Sequence, residues 1–180
     1  MSPITKIWLC NLHPGNTVSD QKFKDIWEET LAFTNSYTKD KPSAKTREQH
    51  VLFQSESDAT QLVLVTGYPS LEMNLAADRE YVTKIAGRMS QFVKHDRLLM
   101  LEKDIDELPL ETGRVSLSLA TGEPAATQNN IGSGGWDVWQ PPGTDSPPIK
   151  STWVQVSSAN NGDAIPNAKS KIVLKRIKGV

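Results

Sequence analysis

The stretch LVLVTGYPSLEMNLAADREYV, residues 62 to 82, confines what this chain can become. An aliphatic run of strand character meets Gly67, Pro69 and Ser70, after which apolar residues recur at helical spacing. Gly67 can take backbone conformations that other residues resist, Pro69 cannot continue a strand ladder, and Ser70 can cap the amides a new helix leaves unpaired. The junction ends a strand and starts a helix. Leu71, Leu75, Val82, Ile85, Met89 and Phe92 then form one predicted apolar stripe, with Glu72 near the positive end and Lys94 and His95 near the negative end.

The flanking sequence sets this junction in a longer order. ITKIWLCNL, residues 4 to 12, is rich in β-branched and aromatic residues and stops at His-Pro-Gly-Asn, so it predicts a strand. Thr17 with Asp20 three residues on matches a capping box, with Ser19 as an alternative cap. Phe23, Ile26, Trp27, Leu31, Thr34 and Tyr37 continue as a helix of about five turns. Residues 38 to 49, polar and carrying Pro42, predict an exposed loop. HVLFQSE and QLVLVTGY are two strands joined by SDAT, a hairpin-length link, and RLLMLEKDI, residues 97 to 105, is a fourth. The order βαββαβ predicts an α+β, ferredoxin-like domain over residues 1–107, a four-stranded antiparallel sheet with two helices on one face. Its other face is too apolar to stay wet, which predicts a homodimer unless residues 108–180 cover it.

Those last residues differ in composition. Gly, Pro, Ser, Thr and Asn dominate residues 122 to 148, which predicts an irregular C-terminal extension packing on the first domain. Trp136, Trp139 and Trp153 are costly to leave in water and suit an anchor for that extension. RVSLSLA, STWVQVS and KIVLKRI alternate like strands and could extend the sheet or form a hairpin.

Several function classes are disfavoured. A net charge of -1 gives no general attraction to nucleic acid or anionic membrane. IWLCNL fits the first motif of RNA-recognition domains, but the third strand offers Leu and Val where bases would stack on aromatics, so RNA binding is a minor alternative. His13, His50 and His95 have no ligand-like spacing and Cys10 is alone, so neither a metal site nor a disulfide is expected. GSGGWDVWQPP is a poor phosphate loop, because no strand closely precedes it and Pro141 and Pro142 stop a following helix. No apolar run spans a bilayer, and the chain is expected to be soluble and cytoplasmic.

LVLVTGYPSLEMNLA resembles the strand-to-helix signature of the dimeric α+β barrel superfamily, in particular antibiotic-biosynthesis-monooxygenase-like domains. HPGN and LLMLEKDI are similar to that family as well, and the resemblance covers residues 4 to 105. It implies two sheets packed face to face as a barrel, and a repertoire of cofactor-free oxygenases, cyclases, isomerases and haem-degrading enzymes. The haem-degrading members resemble this chain at Asn11, but they carry Trp where this chain has Tyr68 and a His within the second helix. Residues 70 to 93 contain no histidine, so no haem is expected and no cofactor at all.

The resemblance implies a small-molecule site in the barrel lumen. On HVLFQSE, His50, Leu52 and Gln54 share one face and Val51 and Phe53 the other. The second pair is better suited to lie beneath helices, which turns His50 and Gln54 toward the lumen. His50 is then the candidate general base, with Gln54 and Asn11 as hydrogen-bond donors to an oxyanion, and Trp8, Leu52, Tyr68 and Tyr81 as the ligand-binding walls. A solvated His50 at a strand end is the alternative. The expected function is a cofactor-independent tailoring enzyme of secondary metabolism, acting by acid–base chemistry on an apolar aromatic or polyketide-like molecule. A non-catalytic binding or interaction module on the same barrel is the rival.

Overall fold

The computed structural model of the protein describes residues 2–38, 50–122, 132–141, 144, 148, 150–159 and 168–177. The loop expected over 38–49 and much of the Gly- and Pro-rich segment lie outside these residues. Four strands and two helical stretches appear in the predicted order: β1 (Ile4–Leu12), α1 (Gln21–Ser36), β2 (His50–Ser55), β3 (Gln61–Tyr68), α2 (Leu71–Tyr81) and β4 (Val93–Leu101). Ser70 caps α2 as its sequence suggests, accepting a hydrogen bond from Met73 N at 3.3 Å. Thr17 does not cap α1. Asp20 occupies the cap position and its carboxylate instead accepts from Thr17 N at 2.6 Å, so the pair shapes the loop ahead of the helix.

The sheet has eight strands, not four, because residues 108–180 contribute β5 (Arg114–Ala120), β6 (Gly132–Trp136), β7 (Trp153–Ser158) and β8 (Ala168–Arg176). Their order is β4-β1-β3-β2-β8-β5-β7-β6, with every pairing antiparallel. The free edges then meet. Val138 N donates to Met100 O at 2.8 Å and Asp137 Oδ1 accepts from Met100 N at 3.0 Å, so the sheet curls into a barrel within one chain. Gly134 on β6 permits close packing against β7, because a Cβ there would sit 2.5 Å from Gln155 Oε1 and 2.9 Å from Val154 O.

The barrel interior is a single apolar core that draws on both halves of the chain. Ile7, Leu9, Val63, Val65, Leu99 and Leu101 meet Val115, Leu117, Val154, Val156 and Leu174. The apolar face that suggested a homodimer is therefore covered by the chain's own C-terminal strands. Val51 and Phe53 also belong to this interior, while Leu52 packs beneath the helices. The expected assignment of faces on β2 is reversed, since two aliphatic layers offered alternation no sign of which one the helices would take.

The second helical stretch also departs from its predicted stripe. Leu71, Leu75 and Val82 are exposed, whereas Asn74, Ala77, Ile85 and Met89 are buried. The cause is a π-helical segment, Val82–Ala86, between α2 and α3 (Gly87–Met89). Its wider turn sets later residues back around the axis, bringing Ile85 and Met89 into line with Asn74 and Ala77. The bidentate pair from Arg88 to Glu29, at 2.6 and 2.5 Å, ties this end of the helix to α1.

Candidate functional site

Strand alternation turns Lys6, Trp8 and Cys10 toward the helices while Ile7 and Leu9 fill the barrel. On the paired strand β3, Leu64, Thr66 and Tyr68 take the same outward side. Between this surface and the two helical stretches lies a cavity of about 500 Å³. Thr30, Phe33 and Thr34 of α1 line one side, and Ala77, Asp78 and Tyr81 of α2 the other, with Val82 and Ala86 of the π segment beside them. The size and the predominantly apolar wall are those of a small-molecule site. It lies outside the barrel, on the helix side, rather than in the barrel lumen.

Two polar pairs stand out in the predominantly apolar wall. Lys6 Nζ donates to Asp78 Oδ1, a salt bridge from the floor of the sheet to α2, and Asn74 Nδ2 approaches the other carboxylate oxygen at 3.4 Å. The Lys6 side chain is only 14% exposed, so its charge sits where water screens it weakly. Farther along, Trp8 Nε1 donates to His95 Nδ1 at 3.0 Å. Accepting at Nδ1 leaves the proton of the neutral ring on Nε2, and His95 presents a donor there. Burial pushes the phenols of Tyr68 and Tyr81 well above the usual range, so both keep their O–H. Burial likewise pushes the Cys10 thiol up to about 12, so it is no thiolate nucleophile.

The residues singled out in the sequence separate into two groups. Trp8, Tyr68 and Tyr81 line the cavity together. His50, Gln54, Asn11 and Leu52 do not. His50 shares the helix-side face but is buried behind Tyr68, with ring centroids 6.2 Å apart and Nε2 3.2 Å from Thr38 Oγ1. Its Nδ1 has no hydrogen-bond partner among the described residues, and burial lowers its pKa to about 4, so the ring is neutral at pH 7. Gln54 Nε2 is taken by the carbonyl of Ala59 at 2.6 Å in the hairpin, Asn11 lies at the far end of β1 opposite Gln61 and Lys94, and Leu52 is core. Lys6, Asp78 and His95 were not among the expected site residues. Lys6, the one charge in ITKIWLCNL, and the polar Asn74 and Asp78 spaced four apart were the available signals.

Among the described residues, no group of three or more His, Cys, Asp or Glu could hold a metal ion, and no helix is long and apolar enough to cross a membrane. No protein-family model matches the chain, and no curated protein matches its sequence. Three solved structures are similar to it along most of its length. A candidate monooxygenase, FN1347 of Fusobacterium nucleatum, is 9% identical, covers 98% of this chain and 93% of its own, and has a TM-score of 0.55. A heme-binding protein of Thermus thermophilus is 13% identical, with coverages of 98% and 92% and a TM-score of 0.55. A candidate chlorite dismutase, TA0507, is 8% identical, with coverages of 99% and 96% and a TM-score of 0.52. At such identities the likeness concerns the fold, and it takes in β5 to β8 as well as the first half. The fold is shared with these three proteins.

Proposed function

We propose that the protein is a cofactor-independent enzyme of secondary metabolism that performs acid–base chemistry on an apolar, aromatic or polyketide-like molecule bound in the helix-side cavity. The observation that carries this reading is the Lys6–Asp78 pair, an ion pair set into a predominantly apolar wall. A carboxylate beside a weakly screened ammonium suits removal of a proton from an acidic carbon or phenol. The substrate's C–H or O–H bond breaks, its proton passes to an Asp78 oxygen, and the electron pair stays on the substrate as an enolate or phenolate beside Lys6. His95 Nε2–H is a further donor to that oxygen, and Trp8, Tyr68 and Tyr81 form the aromatic walls. The base is assigned to Asp78 and not to His50, whose imidazole Tyr68 screens from the cavity.

Because one fold relative is described as heme-binding, haem was weighed against the residues present. His95 is the only histidine on the cavity wall. To ligate iron through Nε2 it would have to move its proton to Nδ1, where the Trp8 N–H already points as a donor. The residues present do not fit haem.

Mass spectrometry of the natively purified protein for bound metabolites, followed by turnover of the molecule found, tests the reading. Asp78→Asn is expected to cost ~2 to 4 orders of magnitude in turnover with the ligand still bound. Wild-type protein that returns the bound molecule unchanged would overturn catalysis in favour of a binding module.

A further inference from the structure

Among the described residues, those that line the cavity come from positions 6 to 98 except one, Trp139, which belongs to the C-terminal half. Its indole is 38% exposed, a costly placement for so large an apolar ring. The backbone beneath it is nonetheless held firmly. Asp137 N donates to Thr152 O at 2.9 Å, Val138 N to Met100 O at 2.8 Å, and Asp137 Oδ1 accepts from both Met100 N at 3.0 Å and Trp139 N at 3.1 Å. One carboxylate oxygen thus joins the segment that follows β6 to β4 and fixes the start of Trp139 against it. Leu98 and His95 of the same strand share the cavity wall with that indole, and Trp8 lies on β1 opposite Leu98.

We infer that Trp139 is a specificity-determining residue of the cavity, a ring held at its wall to stack on a flat ligand, and that Asp137 is the positioning residue that keeps it there. The inference rests on the cavity being the binding site. It adds to that reading a ligand class: planar, and long enough to lie along Trp139 while its reacting oxygen reaches Lys6. A pinned backbone under an exposed indole is what such a role needs, because a ring fixed in advance loses little freedom when a ligand stacks on it.

The test is fluorescence titration with 1-anilinonaphthalene-8-sulfonate, an anionic probe whose flat naphthalene ring can stack, on the full chain, with thermal melts to confirm folding. Trp139→Ala is expected to weaken the probe about tenfold, and Trp139→Phe by no more than about threefold, since a smaller ring still stacks. Asp137→Ala should weaken it with the indole still present, and Asp137→Asn, which keeps an accepting oxygen, should restore it, an outcome a general loss of packing would not give. Ala86→Trp fills the cavity and should abolish binding, while Trp153→Phe on the outer face of β7 should leave it unchanged. If Ala86→Trp abolishes binding and Trp139→Ala does not weaken it, the role of Trp139 is refuted while the cavity stands. If Ala86→Trp has no effect, the cavity itself is not the site and both readings fall.

Discussion

The two halves of this barrel face solvent in different ways. In the first half, β1 to β4 carry one apolar layer into the barrel and a second beneath α1 and α2. In the second half, β5, β7 and β8 send Val115, Leu117, Val154, Val156 and Leu174 inward, while their outward positions carry the buried polar residues Ser116, Ser118 and Gln155 and the exposed Lys171 and Lys175, and no helix is present there among the described residues. A cavity needs a roof, and among the described residues only the first half has a helical one. The second half serves the interior, completing the core that the first half cannot bury alone, and among the described residues it reaches the cavity through Trp139.

If the halves share one core, the largest effect should come from emptying it. Phe53, fully buried on β2 beside β8, is the probe. Phe53→Ala is expected to cost about 3 to 5 kcal/mol and to lower the denaturation midpoints of both halves together. Chemical denaturation followed by tryptophan emission checks this, since Trp27 lies in the first half and Trp136 and Trp153 pack edge to face in the second. Two separated transitions would break the comparison.

A smaller effect should sharpen it, because it belongs to the roofed half alone. The His50 pKa falls from 6.5 to about 4 on folding, so between these values the unfolded chain binds the extra proton. Its contribution is therefore present above pH 6.5 and is lost as pH drops toward 4, up to about 3 kcal/mol. His50→Gln should flatten the pH dependence of stability in that window relative to wild type, as read from midpoints at pH 4, 5, 6 and 7; parallel curves for the two proteins would refute it. The smallest effect is expected at Arg114→Ala, which removes a bidentate pair with Glu56 that links β5 to the end of β2 at 2.7 Å for each contact. Both side chains are partly exposed, so the midpoint should scarcely move and any change should vanish in high salt.

Much of the first half was legible in the sequence because its signals are local. The Gly-Tyr-Pro-Ser junction, the turn at His-Pro-Gly-Asn and the SDAT hairpin each define an element by its own chemistry. What was not legible depended on contacts distant in sequence. RVSLSLA, STWVQVS and KIVLKRI declared themselves as strands, but nothing local told them to join β2 and then close on β4. The same limit misplaced His50: alternation grouped it correctly with Leu52 and Gln54, yet the side of the sheet was decided by which layer the C-terminal strands covered. The π segment escaped because a turn of extra width leaves Tyr81 to Gly87 looking like ordinary helix. With the phase wrong, the predicted stripe passed by Asp78, the partner of Lys6.

The place of β8 bears on how the chain is made. This strand is synthesised after the other seven, yet it lies in the middle of the sheet, bridging β2 and β5. Until residues 168–176 have left the ribosome, the two halves have no shared ladder at that seam, and β2 keeps an open edge with Phe53 beside it. A nascent chain of this design must hold an unsealed, apolar sheet for most of its synthesis, the state in which strands most readily pair with a neighbouring chain.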